Sequence, residues 1–273
     1  MTDTDYAIAY KINRSGKHLK ALERTIKRFL KGKSHRIIND FDTPRLLKVK
    51  AIRLREPPPS CSGLIGEFLY QTRAALDYTA CELARVNDQV VDDHVEFPIF
   101  KDRDMFRNPD SRRLTRGVKR RMGLLRSDHQ AVIEEEQPFQ GRHGKPEDDP
   151  LWLLYVLSNY DRHQFIHLTS TITRSSFHDF TPDEVAKRFE EISVSYGTFE
   201  SETEVARFRI LDGPAIDVNV QSDVAFDVAF GDIGPAAGRP VLNTLASILV
   251  RVAEIIQRFN TLAVFAPVST SMG

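Results

Sequence analysis

Two cysteines and one tryptophan in 273 residues are the first scarcities of this chain. Cys61 and Cys81 frame a segment with helical periodicity, which would hold them roughly 30 Å apart. They cannot bridge within it, and this suits a reducing compartment. Two cysteines without CxxC spacing also argue against a zinc knuckle. No apolar run reaches the ~18 residues that would span a bilayer, and "MTDTDYAIAY" lacks a basic region followed by an apolar core. A cytoplasmic protein with no membrane partner is expected. Phosphate loops of the GxGxxG or GxxxxGK[ST] type, a GxSxG elbow and an EF-hand loop are all missing from the sequence, so no cofactor is predicted.

What is present is an ordinary globular composition, 41% hydrophobic and 28% charged. Net charge is zero, yet it is unevenly distributed. Residues 1–130 carry 27 Lys+Arg against 17 Asp+Glu, and residues 131–273 carry 11 against 21. A polarised chain of this kind either offers its basic part to a polyanion such as RNA or attracts itself, within a monomer or as a homodimer.

Periodicity predicts helices over Tyr6 to Leu30, Gly63 to Val86 and the C-terminal "VLNTLASILVRVAEIIQRF". "SDHQAVIEEEQPF" reads as a helix opened by a Ser127/Gln130 capping box. Asp149 and Pro150 place a cap and a first helical residue ahead of "LWLLYVLSNYDRHQFIHL", predicted helical from Leu151 to Thr169. "TPDEVAKRF" offers a further helix capped by Thr181. "HRIINDF" and "LLKVKAIRL" read as two strands of a hairpin or meander, and "ISVSYGTF", "VARFRIL", "AIDVNV" and "VAFDVAF" as short alternating strands. The fold class that follows is α+β: a bundle of about five helices, with one small antiparallel sheet inserted before the last helix. A single domain over 1–262 is expected, with a helical core at 5–170 and 240–260, the sheet at 190–231 and a loose tail at 263–273.

The candidate chemistry gathers in two polar helical stretches. In a continuous helix, Asn159, His163 and His167 fall on one face. HxxxH is a metal half-site that would need further ligands, for which His94, His129, Asp77 and Glu67 are distant donors. Because no spacing selects those donors, no metal is predicted. Arg73 and Asp77 are four apart on one face and would form an ion pair. With Asp161 and His163 they could make a mutually satisfied buried network, either catalytic or structural. The acidic clusters, including Glu134 to Glu136, read as solvated neighbours. "RRLTRGVKRRMGLLR" places Arg112, Arg113, Arg116, Lys119, Arg120 and Arg121 in one basic stretch suited to phosphate-backbone contact. It has no interleaved aromatics for base stacking.

"RHQFIH" at 162–167 resembles the RxxxxH motif of HEPN-family ribonucleases. That resemblance implies metal-independent RNA cleavage, with His167 moving protons and Arg162 neutralising phosphate charge, beside a polar His163. "GLIGEFLYQTRAALDYTACEL", together with the later "LSNYDRHQ", resembles a family of bacterial proteins of unassigned activity, with the pattern IG[DE]xLxxxRxALD[HY] and then LxxxDKHR. The matching positions are Ile65, Gly66, Glu67, Leu69, Arg73, Ala75, Leu76, Asp77 and Tyr78, then Leu157, Asp161 and His163. Arg162 stands where that pattern has Lys, and Gln164 where it has Arg. The HEPN resemblance implies an RNA-cleaving or RNA-binding protein with Arg162, His163 and His167 at its centre; the second resemblance implies a fold and a site, with Arg73, Asp77 and Asp161 in support. A non-enzymatic helical interaction protein is the alternative.

Overall fold

The computed structural model describes residues 3–179, 189–211 and 220–265. Among these, seven α-helices run in the order α1 (Asp3–Lys31), α2 (Pro59–Val86), α3 (Arg103–Phe106), α4 (Arg116–Met122), α5 (Ser127–Glu135), α6 (Pro150–His163) and α7 (Val241–Phe265). Seven strands accompany them: β1 (His35–Thr43), β2 (Leu46–Arg53), β3 (Leu168–Asp179), β4 (Phe189–Val194), β5 (Gly197–Phe199), β6 (Glu202–Ile210) and β7 (Val220–Phe230). The expectation of about five helices with one small inserted sheet is therefore corrected. Among the described residues the protein is α+β with seven α-helices and two antiparallel sheets of four and three strands, 51% helix and 23% strand.

The chain divides into two compact units, 1–20 with 64–165 and 242–273, and 21–63 with 166–241. The first is helical. Its core holds Phe68, Leu76, Phe97, Ile133, Leu154 and Val252, all essentially excluded from solvent. α2 owes its length to alanines and leucines with few β-branched residues. α6 starts as the sequence predicts: Pro150 occupies the first turn, and the Asp149 carboxylate accepts a 2.8 Å hydrogen bond from the Leu151 N–H. α5 departs from its predicted capping box. Arg126, not Ser127, takes the cap position without a side-chain hydrogen bond, and Gln130 Nε2 donates to the Leu125 carbonyl instead.

The second unit carries both sheets. One has the order β1-β2-β6-β4 and the other β5-β3-β7, antiparallel throughout. Leu47, Val49 and Phe208 of the first sheet and Ile172, Phe199 and Phe226 of the second belong to one apolar cluster, so the inner faces of the two sheets share a core. Within it His35 stacks on Phe226 at 4.1 Å between ring centroids and 6° between planes. Its ring nitrogens hydrogen-bond to the hydroxyls of Ser34 (2.9 Å) and Ser170 (2.7 Å). Burial, helped by the Arg53 charge, lowers its pKa to about 4.

The sequence missed β3 by extending α6 too far. The helix stops at His163, Gln164 is extended (φ −145°, ψ 148°), and Leu168 opens the strand. "LTSTIT" is rich in β-branched residues, whose restricted χ1 disfavours a helix and suits a sheet. The predicted inserted sheet at 190–231 thus gains β3, and its strands pair with β2 from the N-terminal hairpin. The predicted helix at Thr181 and most of "AIDVNV" lie outside the described residues, as do the last eight positions of the predicted tail, whereas 263–265 continue α7.

Candidate active-site cleft

The two polar stretches meet inside the helical unit. Leu69, Tyr70, Arg73 and Asp77 of α2 and Ser158, Asp161 and Arg162 of α6 line a cleft of about 150 Å³. On α2 the positions 66, 70, 73, 74 and 77 recur at three and four residues and so share one face. Ile65, Phe68, Leu76 and Ala80 are buried in the core. Gly66 sets how closely α6 approaches. A Cβ there would stand 2.7 and 2.8 Å from the two Asp161 carboxylate oxygens, so only glycine lets this carboxylate rest on the α2 backbone.

Arg73 and Asp77 are a fastening. Arg73 Nε donates to Asp77 Oδ2 at 3.1 Å and its Nη2 to the Phe97 carbonyl at 2.7 Å, while Asp77 Oδ1 accepts the Phe97 N–H at 3.0 Å. Together they tie "EFPIF" to α2. Burial still pushes the Asp77 carboxyl above its ordinary pKa, although Arg73 and the Phe97 N–H pull it back.

Asp161 is in the opposite condition. Among the described residues its carboxylate accepts no hydrogen bond and faces no cation in an ion pair, and partial burial, together with the neighbouring Glu67 charge, raises its pKa. Arg162, exposed at the cleft wall, is likewise without an ion pair among the described residues. A carboxyl of raised proton affinity and a guanidinium without an ion pair, lining one cleft, can give a proton to a leaving group and receive negative charge.

The two histidines fare differently. His163 is the exposed last residue of α6 and does not line the cleft, since residues two apart on a helix face apart. His167 lies beyond the helix, so the predicted Asn159/His163/His167 face does not exist. It belongs to the second unit, where its carbonyl accepts the Gly231 N–H at 2.9 Å and its Nδ1 lies 2.5 Å from where a Gly231 Cβ would be. Of the proposed metal donors, His94 contacts Arg120 and His129 is buried beside Phe259. Among the described residues no group of three metal-ligating side chains forms, and no helix is long and apolar enough to cross a membrane.

The basic stretch occupies α4 and the turn before it. Arg112, Arg113, Arg116, Lys119 and Arg120 are exposed, while Arg121 is half-buried and pairs with Glu96. Glu96 also lies 3.8 Å from Arg73. A small depression lined by Arg73, Phe100, Arg121 and Tyr155 adjoins the cleft at Arg73. A third, lined by His94, Arg120 and Arg121, adjoins that one at Glu96 and Arg121. The three form a row from Asp161 to α4.

Sequence reasoning missed two participants. Tyr70 could have been found from its position on the Gly66/Arg73 face of α2. The burial of Glu136 could not be read locally, because two of its three arginine partners, Arg251 and Arg258, are more than 100 residues away, and only Arg142 is near in the chain. Comparison with protein-family models, with curated proteins and with solved structures finds no match.

Proposed function

We propose that the cleft binds and cleaves RNA phosphodiesters by acid–base chemistry that requires no metal ion. The observation carrying this reading is the row of depressions that joins the uncommitted Asp161–Arg162 pair to the basic surface of α4 through the shared residues Arg73, Glu96 and Arg121. The phosphate backbone would lie along that row, with Arg162 beside the reacting phosphate. The ribose 2′-oxygen attacks phosphorus and its proton passes to the Glu67 carboxylate. The bond from phosphorus to the 5′-oxygen breaks, and Asp161 gives its proton to the leaving oxygen. Partial burial beside the Glu67 charge raises the proton affinity of Asp161, which suits it to the role of acid.

This assignment moves the centre of the RxxxxH reading from His163 and His167 to Glu67, Asp161 and Arg162, and leaves Arg73 and Asp77 in a supporting role. A second reading, a non-enzymatic interaction protein, draws on the Arg73–Asp77–Phe97 fastening, which is fully explained by structure.

The test is incubation of a mixed RNA pool with the protein in EDTA, beside Asp161→Asn and Arg162→Ala, with folding followed by thermal melting. The expected result is cleavage by the wild type and a fall of about a hundredfold or more in each folded variant. Absence of cleavage by a folded wild-type protein favours the interaction protein.

A further inference from the structure

The row of depressions contains aromatic rings as well as arginines, from elements the basic stretch does not include. Tyr70 of α2 lines the Asp161 cleft and is 64% exposed. Tyr155 of α6 lines the adjoining depression and is 38% exposed. Arg73 lines both, Arg121 lines the second, and the carboxylates of Asp77, Asp161 and Glu96 stand among them.

Each ring is held in place. Lys11 of α1 sits over Tyr70, its Nζ 4.9 Å from the ring centroid, and also 5.5 Å from Tyr78. Tyr155 is stacked on Trp152 at 4.9 Å with 22° between planes, and Lys101 lies over Trp152 at 5.8 Å. Exposed aromatic rings of this size are costly to leave in water, and here they are braced by cations that also suit a phosphate backbone. From Lys11 to Lys20, α1 adds four basic residues and no acidic one.

We propose that this row is a binding track for single-stranded nucleic acid, with one base stacking on Tyr70 and another on Tyr155 while Arg162 and the exposed Arg116, Lys119 and Arg120 of α4 follow the phosphates. The inference rests on the polyanion reading of the same cleft and adds the strand class. In a duplex the bases are already stacked on each other and their faces are not offered to a protein ring, whereas single strands are recognised by aromatic platforms along a cationic groove. The basic stretch alone suggested only sequence-independent backbone contact, because its aromatics come from α2 and α6.

The test separates binding from cleavage by using DNA, which lacks the 2′-hydroxyl. A fluorescein-labelled single-stranded oligodeoxyadenylate, and the same strand annealed to its complement, are titrated with the full-length protein at low salt and followed by anisotropy. The expected result is tighter binding of the single strand, weakened about five- to 150-fold by Tyr70→Ala or Tyr155→Ala and preserved by Tyr→Phe at either position. The fluorescence of Trp152, the sole tryptophan, should fall as the strand stacks beside it. Equal affinity for duplex and single strand, or folded Tyr→Ala variants that bind as the wild type does, overturns the stacking track and leaves the polyanion reading standing. Failure of both nucleic acids to bind overturns both.

Discussion

Glu136 and Asp161 are two carboxylates of the same helical unit, kept in opposite states. Glu136 follows α5 and is 2% exposed. Arg251 of α7 reaches it at 2.7 Å, Arg142 at 3.2 Å, and Arg258 completes the cluster. Burial alone would raise its pKa, but the three guanidiniums outweigh that and hold the carboxyl below its ordinary range. Asp161 is more exposed, has no such partner, and is shifted upward. A buried charge demands partners because desolvation is costly, so its neighbours are explained by stability. A half-solvated carboxylate that rests on a glycine and has no ion-pair partner among the described residues has no comparable structural explanation.

Breaking the structural member of the pair should have the largest effect. Glu136→Ala takes the ion-pair carboxylate from Arg251, itself 6% exposed, and leaves it the backbone carbonyl of residue 136 and the Asp149 charge, a change that costs up to about 3–5 kcal/mol. Urea denaturation should show that loss, and an unchanged midpoint would mean that water relieves Arg251.

His35 sharpens the contrast from the other side, as a buried ionisable group kept neutral. Its folded-state pKa of about 4 lies below the unfolded value of 6.5, so the unfolded chain binds more protons between those limits. Its contribution is therefore complete above pH 6.5 and is lost as pH falls toward 4. Urea melts across that range should show the slope, and His35→Phe should flatten it.

The smallest stability effect and the clearest functional one should come from Gly66→Ala. The added methyl displaces only the free end of the Asp161 side chain, and alanine favours the helix by up to about 1 kcal/mol. The variant should melt at or slightly above the wild-type temperature while RNA cleavage falls. Retained cleavage would detach Asp161 from the chemistry.

These differences also show what can be read from one sequence. The Arg73–Asp77 pair, the Asp149–Pro150 start of α6 and the β1–β2 hairpin depend on residues close in the chain, and all three were legible. The pairing of β2 with β6 joins residues about 160 apart, and no local pattern selects that partner. α6 was drawn too long because an apolar helix running into "LTSTIT" gives no glycine or proline to stop it. That single error placed His167 on a helix face and gave the two histidines their apparent convergence. In the candidate site, Asp161, Arg162, Arg73 and Asp77 were legible as polar residues on two helices. The roles could not be divided, because whether a carboxylate is paired depends on neighbours that folding supplies.

The most direct measurement is a carboxyl-carbon NMR titration that follows Asp161 and Glu136 in the same sample, assigned with Asp161→Asn and Glu136→Gln. The account predicts that Asp161 titrates above the ordinary aspartate value of about 3.9 and Glu136 below the ordinary glutamate value of about 4.3. An Asp161 that titrates at or below its ordinary value would show a carboxylate already satisfied, and would contradict its assignment as the proton-holding acid of the cleft.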